Sequence, residues 1–282
     1  MSALRSTGLI NAPLATAGAA LRHTRTAETG LAGIGVRARA LTDPAQLLVP
    51  GDELAFRVPA LGVPLTIRTR IVRAEPDVFS SVLVSGPFRE LRHESTLTAS
   101  GGRTLVTDEV RWRTPFGSLG RIADTALVRR WILAAQDQRL AAVREVAESW
   151  AERKVVVGTA IVHKGRMLAQ QRRYPARDAG RWELPGGRVE PGESEQDAVV
   201  RECAEELDVE VTPTGRIGTD VPLDNGMLLR IHAARLVDPE AAPRAVEHHE
   251  VRWIDAGELV ELDWLDADKV LVHSLRDLLR RR

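Results

Sequence analysis

Between positions 187 and 209 the chain reads GRVEPGESEQDAVVRECAEELDV, which sets Gly187, Glu193, Arg201, Glu202, Glu205 and Glu206 at fixed intervals. Carboxylates gathered in this way are hard oxygen donors, the kind of ligand that Mg²⁺ or Mn²⁺ selects. From Glu195 to Leu207 no Gly or Pro intervenes, Ser194 is placed to cap, and Asp197 falls three residues later like a capping-box acid, so the spacing predicts a helix. At ~3.6 residues per turn, Glu202, Glu205 and Glu206 share one face, while Val200, Cys203 and Leu207 share another. Three like charges on one face repel by a few tenths of a kcal/mol per pair. Arg201 alone does not neutralise them, and a bound divalent cation would. A solvated acidic helix face is the alternative reading. Gly186, Gly187 and the Pro191-Gly192 turn let backbone groups approach a metal or a phosphate closely.

This pattern resembles the Nudix box of the Nudix hydrolases, with six positions matching at fixed spacing. The resemblance implies that Glu202, Glu205 and Glu206, with the carbonyl of Gly186, hold Mg²⁺ or, in its place, Mn²⁺. It further implies that Glu202 doubles as base or water positioner, that Arg201 orients Glu202, and that Glu193 plays a supporting part. One position departs from the family: the glycine expected after the helix is Asp208, at a cost of about 1 kcal/mol in the cap.

Outside the box, WELPGG at 182–187 and DWLDAD at 263–268 resemble the MutT-like branch, which hydrolyses nucleoside triphosphates. By that resemblance Glu247 is a further acid that binds metal or helps activate water, against a plain surface glutamate. Asp268 reads the base edge, against a capping role for the following helix. Arg172 and Arg173 contact phosphate oxygens, against solvated charge. Trp182, Tyr174 and Leu184 are the available walls for a base. His248 and His249 lack metal-ligand spacing and read as surface residues. The implied reaction takes a nucleoside triphosphate, oxidised guanine or cytidine being the frequent cases, to a monophosphate and pyrophosphate. A nucleotide-sensing regulatory protein is the competing class.

Upstream, apolar residues alternate at period two. Leu65, Ile67, Thr69 and Ile71 oppose Thr66, Arg68 and Arg70, and Val106, Asp108, Val110 and Trp112 oppose Thr107, Glu109, Arg111 and Arg113, as expected of strands with one buried face. Gly101-Gly102 reads as a hairpin turn. From Ser118 to about Trp150 apolar residues recur at helical spacing, which predicts one long amphipathic helix ending before the β-rich run Val155 to Val162. Strands followed by one long helix, with GPFRELRHESTLTASGGRTLVTDEVRWRTPFGSLG at 86–120 as the most typical stretch, resemble the START-like or SRPBCC (polyketide cyclase) superfamily. That resemblance covers about residues 6–150 and implies a helix-grip fold with a cavity for an apolar small molecule beneath the helix. A cyclase or lipid carrier with an accessory Nudix domain is a further alternative. His93, Glu94 and Asp108 could line such a cavity, but surface or strand-pairing roles are favoured for them.

The expected fold is therefore α+β: residues 1–153 a helix-grip antiparallel sheet with a long C-terminal helix, and residues 154–282 a Nudix α/β/α sandwich, with the boundary near Arg153. With 44% hydrophobic and 28% charged residues, the composition is that of an ordinary globular chain. Net charge is zero, with a small basic surplus before the boundary and an equal acidic surplus after it, too weak a polarity to imply stable nucleic-acid binding. No apolar run approaches the ~18 residues of a membrane span, and the N-terminus lacks a signal pattern, so a cytoplasmic location is expected. The single cysteine, Cys203, excludes an internal disulfide and lies on the packing face of the acidic helix.

Overall fold

The computed structural model describes residues 1–42, 46–60, 63–115 and 127–280, and the chain divides into two compact units, Met1–Glu152 and Arg153–Arg282. Both mix helices with largely antiparallel sheet.

In the N-terminal unit, β1 (Ser2–Ile10) is followed by α1 (Leu14–Arg22), α2 (Thr24–Thr29), and the strands β2 (Arg37–Ala40), β3 (Glu53–Ala60), β4 (Val63–Ala74), β5 (Val78–Ser85), β6 (Glu90–Ser100) and β7 (Arg103–Arg113). They form one sheet in the order β1-β7-β6-β5-β4-β3-β2, every neighbouring pair antiparallel. The β6–β7 hairpin turns on Gly101 and Gly102 at φ 57° and 77°, the left-handed pair that matches the twist of flanking strands. Period-two alternation buries Val106, Asp108, Val110 and Trp112 on one face of β7. In β4 it buries Ile67, Thr69 and Ile71, whereas Leu65 is exposed.

The unit ends in α3 (Arg129–Ala151), which packs on β1, α1 and α2. Its buried residues, Ile132, Gln136, Val143, Ala147 and Trp150, follow helical spacing along one side. Gly8 in β1 leaves room for Leu140, since a Cβ there would lie 2.1 Å from a Leu140 methyl. The expected helix start at Ser118, with Leu119 and Ile122, lies outside the described residues. A cavity of about 140 Å³ is lined by residues of the sheet, α2 and α3. His93 and Asp108, expected at the surface or in strand pairing, line it instead. They are drawn inward because Arg139 of α3 brings a guanidinium to them: its terminal nitrogen lies 3.2 Å from Asp108 Oδ1. Glu94, between them in sequence, is exposed.

The C-terminal unit begins with β8 (Val155–His163) and β9 (Arg166–Gln171), then β10 (Trp182–Glu183), α4 (Glu195–Leu207), β11 (Val211–Pro222), β12 (Leu228–Leu236), β13 (Glu250–Ile254), the short helices α5 (Glu258–Glu261) and α6 (Asp266–Lys269), and α7 (Val272–Arg280). The sheet runs β10-β9-β8-β12-β11, with β13 on β9, and only β8 and β12 are parallel. The core joins Val157, Ile161 and Leu168 to Ala198, Val199, Cys203 and Leu207 of α4. Val200, expected on that face, is exposed, and Glu206 takes a buried place, so the packing stripe of α4 is rotated from the expected one. The cause lies in the burial of Ala198 and Val199, which puts Val200 one residue, about 100° of helix, out of the core.

Candidate active site

Ser194 caps α4 as its spacing implies: its hydroxyl oxygen accepts from the Asp197 amide at 3.1 Å and its hydroxyl donates to the Asp197 carboxylate at 2.7 Å. At the other end Asp208 adopts the left-handed conformation, φ 56° and ψ 41°. Between these caps the helix presents its acids beside the loop 184–193. The fit there is close. A Cβ on Gly187 would lie 2.1 Å from a Glu202 carboxylate oxygen, and one on Gly186 would lie 2.0 Å from the carbonyl of Val157. Only glycine lets the backbone run this near the glutamate and the strand at once.

Arg201 is the hub of the acids. Its guanidinium donates to both Glu193 oxygens at 2.9 and 3.0 Å, to Glu202 at 2.8 Å, to Glu205 at 3.1 Å and to the carbonyl of Arg188 at 3.0 Å. This contact fixes Glu202, while Glu205 stays largely exposed. Glu206 turns the other way: one oxygen accepts from the Gln170 side chain and from the Gly186 amide, each at 2.9 Å. Burial pushes the carboxyls of Glu202 and Glu206 up, with Arg201 opposing the shift at Glu202 and Gln170 opposing it at Glu206. The carbonyls of Pro185 and Gly187 accept amides of β8, whereas that of Gly186 accepts no hydrogen bond among the described residues.

Among the described residues, no three acidic, histidine or cysteine side chains stand together in an arrangement that holds a metal ion. Arg201 and Gln170 engage the carboxylates instead. The donor set nevertheless suits a divalent cation: the ligands are hard oxygens, and the raised Glu202 and Glu206 carry negative charge that the protein leaves only partly compensated.

The residues outside the box occupy a second, connected cluster. Arg172 donates to Glu183 at 2.7 Å and to the carbonyl of Tyr174, so it is paired rather than solvated. Arg173 donates to the carbonyl of His248 at 3.2 Å. His248 is a correction to the expected surface residue: it is 9% exposed, its Nε2 lies 2.8 Å from Glu183, and its Nδ1 lies 3.8 Å from Glu206. It is drawn in because the segment around it is tied down, the amide of Val246 to Glu206 and that of His249 to Gln171. His249 and Glu247 are exposed. Trp182 is buried with Arg252 stacked 4.8 Å from its ring, Leu184 is buried beside it in sequence, and Tyr174 is exposed.

Asp268 is fully enclosed and accepts from the Leu184 amide at 3.3 Å. It lies inside α6, whose cap position is Leu265, and its carbonyl accepts from the Leu271 amide just before α7. Burial first, and the nearby Glu183 second, push its carboxyl up to about 7. Glu183, Gln170 and His248 were not singled out by spacing. Glu183 lies inside WELPGG and carried that weak signal, whereas the Glu183–His248 pair joins residues 65 positions apart, which no local pattern marks.

A family model described as NUDIX domain matches residues 152–275. A protein of Mycobacterium tuberculosis (strain H37Rv), provisionally named 8-oxo-dGTP diphosphatase 2, is 43% identical over 125 residues, which span 43% of this chain and 87% of that protein. The CTP pyrophosphohydrolase of Escherichia coli (strain K12) is 32% identical over 123 residues, 44% of this chain and 91% of its own length. Among solved structures, the solution structure of the E. coli ORF135 protein is 32% identical, with a TM-score of 0.40 over 45% of this chain and 91% of that one.

Proposed function

Because the chain belongs to the Nudix hydrolase family, we propose that its C-terminal unit is a Mg²⁺-dependent nucleoside triphosphate pyrophosphohydrolase of the MutT-like kind, acting on 8-oxo-dGTP or another (d)NTP. The observation that carries this reading is the juxtaposition of Arg201, Glu202 and Gly187, in which the glutamate is fixed from one side by the guanidinium and the backbone passes it too closely for any side chain. The names of the M. tuberculosis and E. coli relatives support the substrate class.

In this reading Glu202, Glu205, Glu206 and the free carbonyl of Gly186 hold the cation, with Glu247 able to join from its exposed loop. A divalent cation so held supplies charge neutralisation to the phosphates and acidity to a water. Arg201 keeps Glu202 in one orientation, and Glu202 places the attacking water in line with the β-phosphorus, so that a nucleoside monophosphate and pyrophosphate leave. Arg172 and Arg173 face the phosphates only by giving up their present partners. Asp268, with its carboxyl near neutrality, offers a proton donor or acceptor to a base edge, and Trp182 and Leu184 form the apolar floor behind it.

The N-terminal unit fits a START-like ligand-binding domain with a helix-grip arrangement. The support is its single antiparallel sheet, the long α3 and the cavity between them. Together the two units make a nucleotide-pool hydrolase joined to a small-molecule domain.

The test is a panel of canonical and oxidised nucleoside triphosphates with Mg²⁺, assayed for pyrophosphate and orthophosphate. Pyrophosphate release is expected, and Glu205→Gln is expected to lower turnover by about 10² or more. Orthophosphate as the sole product, or full turnover in Glu205→Gln, would refute the reading.

A further inference from the structure

The small basic surplus of the N-terminal half is not spread evenly over its surface. The charged residues of β2, β3 and β4 are six arginines and Glu53. Alternation and register settle which way they point. Leu54, Phe56, Ile67, Thr69 and Ile71 line the cavity, so the residues between them face the other side of the sheet, and cross-strand partners share a face. On that outer side Arg37 stands opposite Arg57, Arg39 and Arg68 flank Ala55, and Glu53 stands opposite Arg70. These five arginines are all exposed. The sixth, Arg73, follows the bulge in β4 and pairs with Glu75.

With strands ~4.8 Å apart and same-face neighbours ~6.7 Å apart along a strand, the five guanidiniums rise from an area of roughly 10 by 13 Å. One carboxylate serves them. Glu53 accepts from Arg68 at 2.8 Å and from Arg70 at 2.7 Å, and its side chain is only 14% exposed. Arg37, Arg39 and Arg57 make no ion pair among the described residues. A like-charged pair set directly across two strands, as Arg37 and Arg57 are, costs stability where an opposite charge would add it. The cost is recovered when an anion from outside comes to lie on the pair.

The chemistry of the face selects among polyanions. A guanidinium matches the oxygens of a phosphate two at a time. Between the arginines lie Ala55 and Thr66, with no aromatic ring on which an unpaired base could stack and no large apolar side chain to enter a bilayer. A nucleic-acid duplex presents repeated phosphates and requires neither.

We propose that the outer face of β2, β3 and β4 binds the phosphate backbone of a nucleic-acid duplex through Arg37, Arg39, Arg57, Arg68 and Arg70, without reading its sequence. The surplus averaged over the half conceals this face, because these three strands hold a single carboxylate of their own.

The experiment titrates a fluorescein-labelled duplex of mixed sequence with the full chain, in the presence of a chelator, and reads anisotropy between about 50 and 200 mM salt. About four phosphate contacts are expected to give a log–log slope of about −3 to −4, a weakening of roughly a hundredfold over that range. Arg57→Ala is expected to reduce the slope by about 1, and Arg37→Ala combined with it by about 2. Thermal melting should be unchanged or raised in both, since the like-charged pair is relieved. Arg235→Ala, an exposed arginine of β12 in the C-terminal unit, removes the same charge and is expected to leave the slope as it is. No binding at the lowest salt, an equal loss in Arg235→Ala and Arg57→Ala, or tighter binding of the matching single strand would overturn the proposal. Binding to vesicles of phosphatidylcholine and phosphatidylserine with none to the duplex would overturn it too, and would assign the face to a membrane surface. Nucleotide hydrolysis is not part of the readout, so its outcome is separate.

Discussion

Both units bury carboxylates against arginine, and the two burials come out with opposite sign. In the N-terminal unit burial alone would raise Asp108, but His93, Arg139 and the Ser95 hydroxyl converge on it and hold its carboxyl well below the usual range. In the C-terminal unit Arg201 is shared among Glu193, Glu202 and Glu205, Glu206 pairs with no guanidinium among the described residues, and burial leaves Glu202 and Glu206 raised. Supply and burial together make the difference: His93 and Arg139 both serve one carboxylate in the first case, whereas one guanidinium is shared among three in the second and lowers the unburied Glu193 while Glu202 stays raised. A buried carboxylate that the protein has already compensated is part of the scaffold. One that it has left short is a place where charge is still to be brought, which is what a metal site requires.

The contrast makes opposite forecasts for removing the two acids. In the presence of a chelator, Asp108→Ala strands the partly buried Arg139 and is expected to lower the stability of the N-terminal unit by about 3 kcal/mol. Glu206→Gln removes an under-compensated charge while keeping an acceptor for Gln170 and the Gly186 amide, and is expected to raise the stability of the C-terminal unit. Urea unfolding, followed by a probe in each unit, measures both. With Mg²⁺ added the order at Glu206 should reverse, because the wild type gains binding energy that the variant lacks. Equal losses in the two variants would undo the contrast.

How much of this was legible follows from the range of each interaction. The box, its Ser194 cap, the left-handed Asp208 and the Gly101-Gly102 turn are set by residues within a few positions of one another, and spacing discloses them. The buried faces of β4 and β7 followed from alternation, although Leu65 shows that an end residue can match the pattern and remain exposed. What spacing could not disclose was partnership at distance. His248 looked like a surface histidine because Glu183 is far from it in sequence. Asp108 looked like a strand-pairing residue because its guanidinium arrives from a helix 31 residues later. Burial of Val199 rather than Val200 is a third case, since α4 is rotated by the core it meets and not by its own pattern.

A pH titration extends the contrast to Asp268. Its carboxyl stands at about 7 in the folded chain against an ordinary 3.8, so the folded state binds a proton that the unfolded state releases. Stability from that proton is present in full below pH ~4 and is lost as pH rises through ~7, at about 1.4 kcal/mol for each pH unit between the two values before relaxation reduces it. The C-terminal unit should therefore lose stability between about pH 4 and 7, by a few kcal/mol at most. Asp268→Asn keeps an acceptor for Leu184 and should flatten that slope. An unchanged slope in the variant would assign the titration to another group.

The smallest effect concerns a residue that lies outside both clusters. Asp208 ends α4 at φ 56°, a conformation that glycine adopts without the steric cost other residues meet. Its carboxylate pairs with Arg244 at 2.7 Å, but both side chains are more than half exposed, and such a pair contributes little. Asp208→Gly should therefore stabilise the C-terminal unit by about 0.5–1 kcal/mol, the relief of the left-handed strain less the surface pair. Turnover should not change, because the cap leaves Arg201 and Glu202 where they are, nearly two turns earlier in the helix. Thermal melting beside the nucleotide assay reads both quantities. A fall in turnover at unchanged stability would mean that the end of α4 takes part in the site, and the division between a helix that scaffolds and a face that acts would have to be redrawn.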